Sequence, residues 1–142
     1  MSQTVVVDAS LAAMWAVPEA HSDRALALVD RWAKTATRLV APCLFLAEVT
    51  NALYKRVVRG EFDLGTAQAA LRVILQFGIE IREEAGLQAR AMDLAHQLRL
   101  PAVYDPQYLA LAEHHECELW TGDRRFFDAA KQTFSWVKWV GE

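Results

Sequence analysis

The chain has 142 residues and a formal net charge of −3, and 54% of its residues are hydrophobic. This length is typical of one domain, and the apolar fraction is enough to build a sizeable core, which excludes an intrinsically disordered chain. The slightly acidic balance argues against a generic nucleic-acid coat protein, although a metal-loaded acidic pocket in an enzyme can coexist with local basic patches.

The first part of the chain predicts short strands that alternate with helices. β-Branched residues at Thr4–Val7 indicate a strand, and Asp8 follows it directly. Ser22 is of a type preferred at helix N-caps, and Pro18 and Pro42 end the segments before them. The predicted elements are a strand at Thr4–Val7, helices at residues 11–17 and Ser22–Lys34, a strand at residues 39–41 and a helix at residues 43–59.

The second part of the chain continues this alternation. Gly60 stops the preceding helix, Asp63 caps the next one, and Pro106 is of the type favoured at a first helical position. The predicted elements are a helix at residues 63–77, a strand at 79–82, helices at 85–100 and 105–117, a strand at Glu118–Thr121, a helix at 124–131 and a strand at 136–140. Strands alternating with helices predict one α/β domain over residues 1–142, with a mostly parallel sheet covered on both faces.

Four carboxylates lie where such a fold would bring them to one edge of the sheet. Asp8 and Asp123 follow predicted strands, Asp105 opens a helix, and Glu48 borders the apolar face of its helix. Each has an ordinary alternative, because aspartate is a common N-cap and a helix glutamate can simply be solvated. Carboxylates that meet repel one another unless a cation intervenes, and oxygen ligands suit Mg²⁺ or Mn²⁺. Their joint placement therefore predicts a divalent metal site for phosphodiester hydrolysis.

Basic residues accompany two of these acids. Lys55, Arg56 and Arg59 end the helix that carries Glu48, and Arg124 and Arg125 follow the last aspartate. They can complement the helix dipole or lie on an ordinary solvated surface. Alternatively, they form a rim of phosphate contacts around the acidic pocket.

Other functional classes fit the sequence less well. A haloacid-dehalogenase phosphatase needs a second aspartate two residues after the first, and Ser10 occupies that position. The sequence contains no phosphate-binding G-x-x-x-x-G-K-[ST] loop and no dinucleotide-binding G-x-G-x-x-G turn. A module that binds RNA or protein without catalysis stays open as an alternative, although all four acids are present.

Four motifs together resemble the PIN-domain ribonucleases, and among them the VapC-type toxins of bacterial type II toxin–antitoxin pairs. The motifs are V-V-V-D-A-S at residues 5–10, P-C-L-F-L-A-E-V-T-N-A-L at 42–53, Y-D-P-Q-Y-L-A-L-A at 104–112 and T-G-D-R-R-F at 121–126. The resemblance implies a three-layer α/β/α fold with a small, mostly parallel central sheet. It also implies an endoribonuclease that depends on Mg²⁺ or Mn²⁺.

The resemblance assigns roles to individual residues. The family's acidic quartet corresponds to Asp8, Glu48, Asp105 and Asp123. The three aspartates are the expected metal ligands, and the glutamate is expected to position the metal's water shell or to help deprotonate the attacking water. The supporting positions correspond to Ser10, Asn51 and Thr121.

Two residues depart from the family pattern at positions where alanine is more usual. Pro106 fits a helix start, so we expect it to have little effect. Gly122 precedes Asp123, and we expect it to loosen the loop that carries this acid.

Partners and location follow partly from the resemblance. It implies an RNA substrate, a homodimer and a cognate antitoxin held in a groove between the helices at Ser22–Lys34 and 63–77. The bland alternative is that Trp32 and Phe77 on these helices pack in the core. The amino terminus lacks the features of a signal peptide, and no apolar run is long enough to span a membrane. Only Cys43 and Cys117 are present, both expected to be buried, so we expect a cytoplasmic protein.

Overall fold

The centre of the molecule is one parallel sheet. The computed structural model describes residues 3–142. The prediction that the amino terminus lacks a signal peptide rests partly on residues 1 and 2, which lie outside the described residues. The strands are β1 (Thr4–Val7), β2 (Arg38–Ala41), β3 (Glu80–Ile81), β4 (Glu118–Thr121) and β5 (Val137–Trp139). Their order across the sheet is β3-β2-β1-β4-β5, and each neighbouring pair is parallel.

Helices connect these strands. In the described residues they are α1 (Ala9–Ala13), α2 (Ser22–Lys34), α3 (Leu44–Val58), α4 (Leu64–Leu75), α5 (Leu87–Gln97), α6 (Tyr104–His115) and α7 (Arg124–Ala130). Consecutive residues Val5, Val6 and Val7 of the central strand are all buried. Because successive strand residues point to opposite faces, both faces of the sheet are covered. The predicted α/β fold class is confirmed, and the sheet is parallel throughout.

Two predicted helix N-caps are wrong. His21, not Ser22, precedes α2, and it adopts a left-handed backbone with φ 87°. The Ser22 hydroxyl instead donates to the carbonyl of Val17 at 3.0 Å and accepts from the amide of Glu19 at 2.8 Å. The serine therefore ties down the loop after α1. Similarly, α6 begins at Tyr104, so Asp105 lies inside its first turn and does not cap it.

The large aromatic residues of the early helices belong to the core. Trp32 is 4% exposed and meets Trp120 with ring centroids 6.0 Å apart. Phe77 packs against Trp15 at 4.9 Å. Core packing, the simpler of the two interpretations for Trp32 and Phe77, is what the structure shows.

Two further observations concern the cysteines and the apolarity of the helices. The prediction of two buried cysteines is wrong, because Cys43 is exposed just before α3 and Cys117 is half-buried. Neither of them forms a disulfide in residues 3–142. Within the same residues, no helix combines the length and apolarity needed to cross a bilayer.

The packing of α4 provides a matched test of the core. Ile74 is fully buried while its isomeric neighbour Leu75 is 46% exposed. Removing a buried branched side chain loses transfer free energy and leaves a cavity, so Ile74→Ala should lower the free energy of unfolding by about 2–5 kcal/mol. Leu75→Ala should change it by about 1 kcal/mol or less. Chemical denaturation of both variants measures this difference, and equal losses would contradict the packing described here.

Candidate active site

Asp8 lies where the neighbouring strands β1 and β4 end. It follows β1 and caps α1, where its Oδ1 accepts hydrogen bonds from the Leu11 amide at 2.9 Å and the Ser10 hydroxyl at 2.7 Å. Its Oδ2 accepts from the Thr121 hydroxyl at the end of β4. The side chain is only 4% exposed. Burial raises the pKa of Asp8 despite these donors, because a buried carboxylate loses its hydration.

The loop after β4 is fastened to this junction. The Gly122 amide donates to the Ser10 hydroxyl at 3.0 Å, and the Asp123 amide donates to the Thr121 hydroxyl at 3.0 Å. Asp123 then caps α7 through Oδ1, which accepts from the amides of Arg125 and Phe126. The two hydroxyl positions identified in the sequence therefore connect Asp8 to the segment that carries Asp123.

Gly122 tightens this loop, contrary to the expectation that it loosens it. A Cβ atom at this position would lie 2.7 Å from the Met14 methyl group and 3.0 Å from the carbonyl carbon and oxygen of Ser10. The absence of a side chain allows the loop to approach the α1 backbone closely. The conformational freedom of glycine matters less here than the space that its missing side chain leaves.

Glu48 reaches the site from α3. The residues on its buried side are Phe45, Val49 and Leu53, as the helical spacing predicts, and Glu48 itself is half-buried. Its Oε1 accepts a 2.7 Å hydrogen bond from the Tyr108 hydroxyl of α6. Burial and the charge of Asp8 raise the pKa of Glu48, while the tyrosine bond acts against that rise. A glutamate whose pKa is raised is a stronger base than an exposed glutamate.

Asp105 is the carboxyl group whose pKa is affected by all three of the other acids. It lies in the first turn of α6, close to the positive end of the helix dipole. Burial, followed by the charges of Asp8, Glu48 and Asp123, raises its pKa to about 7. No hydrogen bond in the described residues offsets this rise. The four predicted acids are thus close enough to perturb one carboxyl group jointly.

This donor set fits a divalent cation that keeps part of its water shell. Like-charged carboxylates gathered in a half-buried cleft favour a cation that neutralises them. In residues 3–142, no three His, Cys, Asp or Glu side chains lie close enough to enclose a metal ion by themselves. Mg²⁺ commonly binds through one or two carboxylates and retains several waters, so a closed cage is not required.

Tyr108 is a further residue of this site, which the motif positions alone did not identify. It is fully buried, and burial together with the charges of Glu48 and Asp8 raises the pKa of its phenol far above the usual value. It therefore stays protonated and donates to Glu48. The available signal was its position three residues after Asp105, which places both residues on one face of α6.

The α3 cations and Asn51 line a groove of about 340 Å³ that begins at Glu48. Arg56 is held there by Glu19 through a 2.6 Å ion pair. Lys55 and Arg59 line the same groove and have no ion-pair partner within residues 3–142.

The α7 cations divide in the same way. Arg124 forms a 3.7 Å contact with Asp128, and its guanidinium lies 5.2 Å from the centre of the Trp139 ring. Arg125 is exposed, and no ion pair is found for it in the described part of the chain. Of the five predicted phosphate contacts, Arg56 and Arg124 are thus already engaged by protein groups.

Comparison with known proteins gives a family match and a structural match. The PIN domain family model matches residues 5–132. PAE2754 from Pyrobaculum aerophilum is 24% identical, with a TM-score of 0.71 over 98% of this chain and 85% of that one. VapC20 of Mycobacterium tuberculosis, described as a toxin that cleaves the sarcin–ricin loop, is 20% identical, with a TM-score of 0.65 over 92% and 95%. No protein of curated function matches the sequence significantly.

The raised pKa of Asp105 predicts a pH dependence of stability without metal. Between its ordinary value of 3.8 and about 7, the folded state binds more protons at this group than the unfolded state does. Stability from this group is therefore lost as pH rises through that window. In EDTA, Asp105→Asn should raise the melting temperature at pH 8 by a few degrees relative to wild type, and less at pH 4.

The control for this measurement is Asp93→Asn, which alters a carboxylate that is 73% exposed. Differential scanning calorimetry across pH compares the three proteins. A wild type and Asp105→Asn variant whose melting temperatures differ equally at pH 4 and pH 8 would contradict the charge crowding.

Proposed function

Because this chain belongs to the PIN-domain family, we propose that it is an endoribonuclease that hydrolyses RNA phosphodiester bonds with a divalent metal, Mg²⁺ or Mn²⁺. PIN domains generally use divalent metal ions. The observation that carries the proposal is the way hydrogen bonds link the acids: the Thr121 hydroxyl donates to Asp8 and accepts from the Asp123 amide, and the Tyr108 hydroxyl of α6 donates to Glu48. The crowding of these carboxylates, together with burial, raises the pKa of Asp105 to about 7. Such crowding is costly in a protein that never binds a cation, and it is useful in one that does.

In this proposal, one or two of the aspartates bind the metal directly and the others bind through its water shell. Asp8 presents a carboxylate whose orientation is set by its three donors, and Asp105 and Asp123 lie at the starts of α6 and α7. The bound ion would lower the pKa of a coordinated water and neutralise charge on the phosphate oxygens. Deprotonated Asp105 is the form that binds, so metal uptake should release a proton near neutral pH.

Glu48 is the proposed proton acceptor. Its raised pKa brings it closer to the working pH than an exposed glutamate, which favours general-base catalysis. Tyr108 fixes the carboxylate in place through its 2.7 Å hydrogen bond. The water proton passes to Glu48 as the water oxygen attacks phosphorus. The bond from phosphorus to the leaving oxygen breaks, and that oxygen takes a proton from solvent water to become a hydroxyl group. Asn51, which lines the groove next to Glu48, would contact the substrate beside this centre.

A toxin role and a protein partner extend the proposal. The name of the similar M. tuberculosis protein describes a toxin that cleaves the sarcin–ricin loop. We extend the role of a toxin to this chain, as half of a toxin–antitoxin pair in the cytoplasm. Exposed apolar side chains on α3 and α4 support a protein partner, either an antitoxin or a second copy of the chain. They are Leu46, Tyr54, Val58 and Leu64, which are 43–70% exposed. A small antitoxin gene next to this one would be the simplest supporting observation.

The competing functions are a catalytically silent PIN-like module that binds RNA or protein, and another metal-dependent phosphohydrolase. The complete set of four acids argues against the silent module. One nuclease assay with RNA and with a small phosphate ester separates the three.

Cleavage should depend on both the metal and the buried aspartate. Asp8→Asn and Glu48→Gln should each reduce the rate of RNA cleavage in Mg²⁺ by about 100-fold or more, because several kcal/mol of transition-state stabilisation are removed. EDTA should abolish cleavage, and added Mg²⁺ or Mn²⁺ should restore it. Time courses on a labelled RNA measure the rates.

The control is Asp30→Asn, which changes an exposed carboxylate on α2. Circular dichroism confirms that each variant is folded before its rate is compared. Wild-type cleavage that persists in EDTA, or in a folded Asp8→Asn variant, would refute the mechanism. A folded wild type that binds Mg²⁺ but cleaves only the small ester would favour the phosphohydrolase.

Tyr108 provides a test of how Glu48 is tuned. Tyr108→Phe keeps the buried ring and removes the hydroxyl that lowers the pKa of Glu48. We expect about 10-fold slower cleavage, the lower end of the effect of losing an outer hydrogen-bond partner. The acid limb of the pH–rate profile should also move to higher pH. A slower enzyme with an unshifted profile would mean that Tyr108 acts only through packing.

A further inference from the structure

The groove that starts at Glu48 continues along one face of α3. Counting 100° per residue, Lys55 and Arg59 each lie within about 20° of Glu48 around the helix axis. With a rise of 1.5 Å per residue, they lie about 10 Å and about 16 Å along the helix from it. A carboxylate of the proposed active centre and two exposed cations therefore line one groove.

Arg56 differs from these two cations although it lines the same groove. It is turned about 80° from Glu48 around the helix. Its guanidinium is paired with Glu19 at 2.6 Å and Glu61 at 3.6 Å, and it lies 5.7 Å from the centre of the Phe62 ring. These contacts bind α3 to the segments on either side of it. The charge of Arg56 is consequently compensated within the protein, whereas the charges of Lys55 and Arg59 are available to a ligand.

The recessed position of the acids restricts the form of the substrate. Asp8 is 4% exposed, and Glu48 and Asp105 are half-buried. Glu48 is the acid that also lines the open groove on α3, so a phosphodiester can reach the acids from that groove. A single strand can bring its backbone to recessed acids and leave along the α3 groove, whereas a duplex carries a second strand that obstructs this approach.

We propose that Lys55 and Arg59 form a track on α3 for the phosphates of single-stranded RNA, next to the scissile bond on one side. The track rests on the proposed nuclease function and deepens it by naming the two side chains that hold the substrate strand and the direction in which one end of the strand leaves. Arg56 is excluded from the track and serves to anchor α3. Each phosphate contact on a single strand releases bound counterions, which gives a salt dependence that can be counted.

The test measures binding of a labelled single-stranded oligoribonucleotide by fluorescence anisotropy at several salt concentrations, with Ca²⁺ in place of Mg²⁺. Loss of two phosphate contacts in the double variant Lys55→Gln/Arg59→Gln should reduce the slope of log affinity against log salt by about 1.4. Arg56→Gln should lower the melting temperature and leave the slope unchanged. Lys34→Gln, which removes one charge from the ion pair with Asp30 on α2, is the matched control.

Cleavage kinetics in Mg²⁺ provide the second readout. The double variant should raise KM about 10-fold and have a much smaller effect on kcat, because the track contacts nucleotides beyond the reacting phosphate. A slope and KM equal to those of wild type, or a wild type that does not bind the single strand at low salt, would overturn the track. So would a double variant that only lowers the melting temperature, because the cations would then serve the α3 dipole alone.

Two comparison probes settle the class of ligand. Wild type should bind the single strand more tightly than a duplex of the same sequence, and equal binding of both would contradict the single-stranded form. A polyglutamate peptide that binds more tightly than the RNA, and loses its affinity in the double variant, would assign the groove to an acidic protein segment. If wild type binds RNA with the expected slope but never cleaves it, the track stands and the proposed nuclease function fails.

Discussion

The carboxylate of Asp8 is the junction on which the arrangement of the candidate site depends. The carboxylate accepts hydrogen bonds from the start of α1 and from Thr121 at the end of β4. The backbone amide of the same residue donates to the Trp120 carbonyl at 3.3 Å. β1 and β4 are neighbours in the sheet, so this one side chain closes the edge where both strands end. Ser10 completes the junction by holding the loop that carries Asp123. The acids are therefore positioned by backbone segments that are themselves tied together.

The charge at this edge opposes the packing that creates it. In a parallel sheet the helices that follow the strands begin at the edge where the strands end. The positive ends of those helix dipoles partly compensate the negative charge of the acids. Asp8 and Asp123 use the dipoles directly as caps, whereas Asp105 lies in the first turn of α6 without a bond to offset its burial. A cation that binds the folded state reduces the repulsion among the carboxylates. The repulsion that is present without the cation therefore makes the free energy of cation binding more favourable.

The sequence was informative where local pattern and tertiary context agree. Buried apolar runs such as Val5–Val7 predicted the central strand, and the rule that ligands collect at the carboxyl ends of parallel strands predicted that Asp8 and Asp123 would share an edge. Where two local solutions compete, the predictions failed. The Ser22 side chain bonds backward into the preceding loop, so the residue before it takes the cap position. The flexibility of glycine predicted a loose loop at Gly122, but the close approach of this residue to the Ser10 backbone decides its role.

The sequence by itself determined the α/β class, the identity of the four acids and the surface cations near them, because periodicity, strand ends and motif spacing are properties of the chain. Only the tertiary structure decided how Asp8 is used, because three donors from two segments converge on it. It also decided that the Tyr108 hydroxyl serves Glu48, and that Arg56 is paired internally while Lys55 and Arg59 line the groove beside it. The physical reason is that pKa values, ion pairs and cavities depend on distances between segments remote in sequence, which residue spacing along the chain does not specify.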